Sequence, residues 1–113
     1  MNQVILTKHK HIGNKGMFFV GEEENILAEL TYNMQSKNKM IMEHTEVGDE
    51  LRGNNVGLQL VLAAVVYARN NNIKIIPLCP FARAVFRKKK ELQDVLFLWS
   101  IILNFELQLG RNT

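Results

Sequence analysis

One cysteine, one histidine and one glutamate are the side chains best suited to chemistry in this sequence. Cys79 stands directly before Pro80, where a helix is expected to begin, and the dipole of that helix would favour a thiolate. His44 and Glu46 lie two residues apart at the end of an apolar segment and are expected on one strand face with Met40 and Met42. A cysteine paired with a histidine could carry an acyl group as a thioester, and a glutamate could accept a proton from an amine. The structural alternatives are a buried thiol, a hydrogen-bonded histidine and a solvated carboxylate.

A loop rich in glycine and asparagine, followed by an apolar segment, could bind an anion. Its residues are Arg52, Gly53, Asn54, Asn55, Val56, Gly57 and Leu58. The first N–H groups of a helix lack partners within the helix, so they and the helix dipole can hold a phosphate, with Arg52 as an added cation. The alternative is an ordinary turn into a helix with Asn54 or Asn55 as the N-cap. The loop is not a P-loop, because Asn54 stands where a lysine is required.

The segments around this loop predict a strand–helix–strand unit. Lys39–Val47 has the pattern of a strand, the Leu-, Val- and Ala-rich stretch after Asn55 that of a buried helix, and Ile73–Ile76 that of a returning strand. Strands joined in this way run parallel with a right-handed crossover. Pro80 favours the first position of another helix, which we expect to continue to about Lys90.

The N-terminal half predicts further strands that complete an antiparallel meander. Met17–Val20 and Ile26–Met34 are the expected strands, and the second alternates between apolar and polar residues. His9 and His11 are assigned to a polar link before them, and no metal site is predicted, since they have no ligand cluster beside them. The expected fold class is α/β (α+β), a meander continued by the strand–helix–strand unit with helices packed on the sheet.

Composition and charge limit the possible functions. The chain has 113 residues, of which 47% are hydrophobic, so one globular domain is expected rather than a disordered chain. A single cysteine excludes an internal disulfide and suits a cytoplasmic protein. No secretory signal is predicted, because the N-terminus MNQVILTKHK lacks a long apolar segment. No membrane-spanning segment is predicted, because no apolar run reaches about 18 residues. The net charge of +3 is mild and fits a small anionic ligand as well as a nucleic acid.

Two further segments leave alternatives open. The basic run Arg87–Lys90 is a solvated helix face, a contact for a ribose phosphate, or a contact for an acidic partner. A nucleic-acid binder built on this run is the weakest reading, because it lacks clustered aromatic residues. Beyond Asp94 the chain is apolar again, and we expect a helix that frays into Leu107–Thr113, although the alternation in NFELQL would also suit a strand. The apolar run Val95–Leu109 is most simply part of the core, and a homodimer surface is the first alternative to a monomer if the run is exposed.

Four stretches together resemble the small, single-domain N-acetyltransferases of the GNAT type. They are EHTEV, LRGNNVGLQLV, YARNNNIKIIPLCPFA and the basic helix that follows, and the resemblance extends from Gly16 to about Leu96. In the wider superfamily the loop has Gln or Arg, two residues, Gly, one residue, then Gly or Ala. Arg52 and Gly57 match this pattern, whereas Asn55 replaces the middle glycine, and asparagine tolerates left-handed backbone angles.

The resemblance implies a coenzyme A site and an acetyl transfer from acetyl coenzyme A to an amine. The loop amides would hold the pyrophosphate, and the acyl-pantetheine arm would lie between two parallel strands that diverge, Met40–Val47 and Ile73–Leu78. It also implies that Cys79 lies near the acyl group and pairs with His44, with Glu46 as a possible base. The implied coenzyme contacts are the seven loop residues together with Thr45, Val47, Cys79, Pro80 and Arg83. Two alternatives stay open: a direct transfer in which Cys79 only lines the pocket, and a non-catalytic module that binds acyl coenzyme A.

Overall fold

The computed structural model describes residues 5–97, which form a five-stranded mixed sheet and two α-helices. The strands are β1 (Lys8–Ile12), β2 (Lys15–Glu22), β3 (Asn25–Ser36), β4 (Lys39–Val47) and β5 (Lys74–Pro77). The helices are α1 (Val56–Asn70) and α2 (Pro80–Lys88), and Asp49–Leu51 and Lys90–Val95 are short 3-10 helices. The expected strand–helix–strand unit is therefore present, with boundaries within two residues of those predicted.

The order of the strands in the sheet follows their order in the chain. β1 to β4 form an antiparallel meander, and β5 pairs with β4 in parallel after the chain has crossed over through α1. The predicted fold class is confirmed. The parallel pair is short, since it extends only from Lys39 opposite Lys74 to Met42 opposite Pro77.

The hydrophobic core lies between the sheet and the two helices. Met40 and Met42 of β4, Leu60 of α1, Ile75 of β5 and Phe86 of α2 are fully buried in one continuous cluster. The helix α1 has apolar residues around most of its circumference because it crosses β2, β3 and β4 and also contacts α2. This core fixes the start of α1 beside the end of β4.

The assignment of His9 and His11 to a polar link is wrong, because both lie in the edge strand β1. His9 stacks on Phe18 with ring centroids 4.2 Å apart and meets Tyr67 of α1 edge-on at 4.5 Å. Its Nε2 lies 2.6 Å from the hydroxyl of Tyr32. These contacts come from three other elements, so local polarity concealed a strand that is held by aromatic packing.

The end of the described region also differs from the prediction. α2 ends at Lys88, and the 3-10 helix that follows ends at Val95. Leu96 is extended and pairs in parallel with Ile75, so the helix expected beyond Asp94 does not form at Leu96. The predicted fraying segment and most of the Val95–Leu109 run lie outside the described residues. Within residues 5–97, no helix combines the length and the apolar character needed to cross a membrane.

Candidate active site

A bulge in β4 decides which side chains face the helices. Thr31 of β3 pairs with His44 and Tyr32 pairs with Met42, so Glu43 has no partner in the β3–β4 ladder. An extra residue reverses the alternation of the strand beyond it. Thr45 therefore lies on the helix side together with Met42, whereas His44 does not. The prediction that His44 shares a face with Met42 is wrong for this reason.

The strands β4 and β5 part immediately after this bulge. The N–H groups of Leu78 and Cys79 both donate to the carbonyl of Met42, at 3.0 and 3.3 Å. β5 ends at Pro77, whereas β4 continues for five more residues to Val47, paired only with β3. Within residues 5–97 no strand pairs with this edge of β4 from Glu43 onward, and its backbone groups can pair with an extended ligand.

The loop after β4 leads into the first turn of α1, where backbone N–H groups can face a ligand. Asn55 is the N-cap residue and takes left-handed angles, φ 57° and ψ 30°. Its carbonyl accepts the first helical hydrogen bond, from Gln59 at 3.0 Å. Among the described residues no side chain caps this end of the helix, so the N–H groups of the first turn are available to a ligand. Asn54 instead donates to the carbonyl of Leu51 at 3.3 Å.

Gly53 and Gly57 are required in this loop for different reasons. Gly53 has φ +88° with open space around it, so a side chain would strain the backbone rather than collide with a neighbour. Gly57 is buried at the start of α1, and a Cβ atom there would lie 2.7 Å from the ring of Phe81. Gly53 therefore shapes the loop, whereas Gly57 lets α2 approach α1.

A cavity of about 630 Å³ joins the open part of β4 to the start of α1, a volume that suits a small-molecule ligand. Eight of the predicted coenzyme contacts line it: Thr45, Val47, Arg52, Gly53, Asn55, Val56, Gly57 and Leu58. The residues that complete it are Leu51, Phe81, Ala84, Val85, Lys88 and Lys89. Phe81, Ala84, Val85 and Lys88 share one helical face. Lys88 and Lys89 also belong to the basic run for which a ribose-phosphate contact is one of the predicted alternatives.

The cavity is electropositive. Its charged lining residues in the described part of the chain are Arg52, Lys88 and Lys89, with no carboxylate among them. Arg52 lies 3.2 Å from Asp49, but both side chains are exposed, so water weakens this pair. An anionic ligand would therefore gain from the cations and from the helix start together. No metal site is predicted, and the residues described here contain no cluster of three potential ligands.

Cys79 is buried and lies behind the cavity rather than in its lining. Its thiol donates to the hydroxyl of Thr45 at 3.3 Å, and it does not cap α2, although it is the N-cap residue of that helix. Arg83, an implied coenzyme contact one turn further on, donates through Nε to the carbonyl of Pro77 at 3.1 Å. The hydrogen bond to Thr45, which lines the cavity, therefore connects Cys79 to the cavity side of β4.

His44 and Glu46 form an exposed pair on the other face of β4. The His44 Nε2 and Glu46 carboxylate atoms are 3.6 Å apart, and both side chains are more than half exposed. The implied Cys79–His44 pair is replaced in this structure by two separate contacts, Cys79 with Thr45 and His44 with Glu46. An exposed imidazole–carboxylate pair and a buried thiol thus lie on opposite sides of the same short piece of strand.

Comparisons with known proteins agree with this architecture. The family model of the GCN5-related N-acetyl-transferase matches residues 17–95. The solution structure of a Staphylococcus aureus protein, described as a GCN5-like candidate N-acetyltransferase, is 43% identical with a TM-score of 0.63, and the match covers 80% of this chain and 87% of that one. No curated protein sequence matches the chain significantly.

More distant structures share the fold alone. The ribosomal-protein-alanine N-acetyltransferase of Brucella melitensis biovar Abortus has a TM-score of 0.55 at 11% identity, over 68% of this chain and 62% of that one. An IAA acetyltransferase of Bacillus cereus has a TM-score of 0.51 at 14% identity, over 66% of this chain and 53% of that one. From the family match and the 43% identical structure together, the chain belongs to the GCN5-related N-acetyltransferase family.

Proposed function

We propose that this protein binds acetyl coenzyme A and transfers the acetyl group to an amine. The observation that carries the proposal is the cavity that joins the helix start at Val56 to the open edge of β4. Phosphate groups suit its amides and cations, and an extended amide-containing arm suits the unpaired strand. The cavity therefore matches a ligand that is anionic at one end and linear at the other, as acetyl coenzyme A is.

The proposed binding mode assigns a task to each part of the cavity. The amides of the first turn of α1, with Arg52, hold the pyrophosphate. The pantetheine arm lies along Thr45 and Val47 and pairs with the free backbone edge of β4. Thr45, held by the Cys79 thiol at 3.3 Å, positions the arm near the bulge, where the strands part. The thioester would then lie where both faces of the sheet can be reached.

Direct transfer is the mechanism that the contacts favour. An amine that approaches from the face of His44 and Glu46 attacks the thioester carbonyl and loses a proton to this pair. The carbon–sulfur bond then breaks, and the coenzyme leaves as a thiolate that takes up a proton. A thioester on Cys79 would require a base beside the thiol, whereas His44 lies next to Glu46 instead.

A smaller cavity could receive the acceptor on that face. It has a volume of about 350 Å³, and Lys10, Met17, Thr31 and Glu43 are among its lining residues. Thr31 is the ladder partner of His44, and Glu43 is the bulge residue. An amine in this cavity would lie beside the proposed proton acceptor. Because Lys10 and Lys15 outnumber Glu43 in the lining, the cavity favours the neutral amine, which is the form that attacks the thioester.

The first experiment is a calorimetric titration with acetyl coenzyme A, followed by release of free thiol during incubation with a panel of amines. We expect binding, and turnover that falls at least tenfold in a His44→Asn and Glu46→Gln double variant. Glu24→Gln, in an exposed turn, is the control. Absence of binding would refute the site.

A non-catalytic acyl coenzyme A module is the second candidate, and one observation favours it. His44 and Glu46 are outside the cavity that would hold the coenzyme. Tight binding of acetyl coenzyme A without turnover on any amine would support the module. Turnover that depends on Glu46 would exclude it.

A further inference from the structure

The second wall of the larger cavity carries two lysines that the proposed pyrophosphate site does not use. The cavity face of α2 begins with the aromatic ring of Phe81, continues with Ala84 and Val85, and ends with Lys88. Lys89, the next residue, also lines the cavity and is half-buried. The pyrophosphate amides are at the start of α1, whereas these ammonium groups are at the opposite end of a different helix.

These lysines have no carboxylate partner in the described part of the chain, where five ion pairs occur and none involves them. They lie in a run of four cations, Arg87–Lys90, whose like charges repel one another. The negative end of the α2 dipole explains why cations are favourable at the C-terminus of this helix. It does not account for the position of Lys88 and Lys89 in the cavity lining while Arg87 and Lys90 are outside it.

Coenzyme A carries a phosphate that is separate from its pyrophosphate, on the 3′ position of the ribose. With the pyrophosphate on the α1 amides, the adenosine end must leave the cavity along its remaining wall, because the β4 end is taken by the pantetheine arm. That wall is the face of α2, where Phe81 and Val85 offer apolar contact for a base and Lys88 and Lys89 offer charge for a phosphate.

We propose that Lys88 and Lys89 bind the 3′-phosphate of the coenzyme and thereby select coenzyme A over dephospho-coenzyme A. The inference rests on the proposed function, since it concerns the same cavity. It adds a specificity: the ligand is a 3′-phosphorylated adenine nucleotide, and the analogue that differs by this one phosphate binds more weakly.

The test compares the dissociation constants of coenzyme A and dephospho-coenzyme A for three proteins by calorimetry. They are the wild type, a Lys88→Gln and Lys89→Gln variant, and a Lys37→Gln and Lys90→Gln control. The control removes the same net charge from two exposed lysines outside the cavity. We expect the wild type to prefer coenzyme A at least tenfold, since about tenfold is the lower end for a charge-assisted contact. The Lys88 and Lys89 variant should lose this preference, with the affinity for dephospho-coenzyme A unchanged, and the control should keep it.

The alternative outcomes are distinct. Equal affinity of the wild type for both ligands overturns the inference and leaves the coenzyme site intact. If the Lys88 and Lys89 variant loses affinity equally for coenzyme A and dephospho-coenzyme A, the lysines act on the pyrophosphate or by general attraction. That result also overturns the inference. If the control loses the preference as well, net charge rather than position is responsible, which again overturns it. If neither ligand binds the wild type, the proposed function itself fails.

Discussion

Replacement of Gly53 by alanine is expected to show how the geometry of the loop affects ligand binding, apart from its effect on the stability of the fold. Gly53 has φ +88°, and a Cβ atom added there would have no neighbouring atom within 4 Å, so the only cost is backbone strain. Left-handed angles cost an alanine roughly 1–2 kcal/mol. For a domain of this size, that corresponds to a Tm lower by about 4–8 °C for each kcal/mol.

Gly13 provides a matched control. It has φ +60°, is exposed and likewise has nothing within 4 Å of its Cβ position, but it lies in the β1–β2 turn, away from the cavity. Gly13→Ala should therefore lower the Tm by a similar amount. Gly57 would be a poorer choice, because its Cβ atom would press on Phe81 and change the packing of the helices.

Binding should distinguish the two variants. An alanine at position 53 reduces part of its strain by shifting towards negative φ, which moves the amides next to it. The coenzyme must then restore the original loop geometry at the cost of that strain, so the affinity for coenzyme A should fall at least tenfold, or about 1.4 kcal/mol. Gly13→Ala should leave the affinity unchanged. The assays are thermal unfolding and calorimetric titration of both proteins. Coenzyme affinity that survives Gly53→Ala, at a reduced Tm, would refute the role of the loop.

Four further predictions concern other parts of the molecule. Burial, followed by repulsion from His11, lowers the pKa of His9 below its usual 6.5, so the stability that depends on neutral His9 is present above pH 6.5 and is lost as the pH falls. A His9→Gln variant should show a shallower loss of stability between about pH 7 and 5 in denaturant titrations. Phe86→Ala should lower the free energy of unfolding by about 3–5 kcal/mol, because the ring is fully buried. Cys79→Ala should reduce acetyl transfer less than about tenfold if transfer is direct, and a loss of several orders of magnitude would establish a thioester intermediate. Oligonucleotides should bind only weakly and with a steep salt dependence; submicromolar affinity at physiological salt, abolished by neutralising Arg87–Lys90, would contradict the proposal of a small-molecule site.

The part of the fold that local pattern determines was predictable, and the part that depends on distant contacts was not. The helix after Asn55 and the strand Lys39–Val47 have strong patterns, and the structure places both within one residue of the prediction. β1 was missed because His9 is stabilised by Phe18 and Tyr67 rather than by its neighbours in sequence. No local signal could reveal those partners.

In the candidate site, too, the features set by local sequence were predictable and those set by pairing with a distant strand were not. The loop before α1 was predictable from its glycine and asparagine residues. Gly53 and Asn55 both have positive φ, which few residue types adopt readily. The bulge at Glu43 was not detectable, because Met40, Met42, His44 and Glu46 continue an unbroken spacing of two in the sequence. Only the pairing with β3 shows that one residue is extra. The pairing of His44 with Cys79 therefore could not be tested by periodicity.

The strand β4 extends beyond its parallel partner β5, so the sheet ends unevenly at this edge. Backbone groups from Glu43 to Val47 that would pair with β5 have no partner strand on that edge in the part of the chain that the structure describes, so they are available to water or to a ligand. A bound arm would replace the missing strand, so amide hydrogens in this segment should exchange more slowly with solvent once the ligand is present. Amides in neighbouring segments that unfold locally together with β4 should also exchange more slowly. If the proposed coenzyme binds there, the free energy of unfolding would rise with the logarithm of the coenzyme concentration, so the fraction of folded protein would depend on how much coenzyme is present.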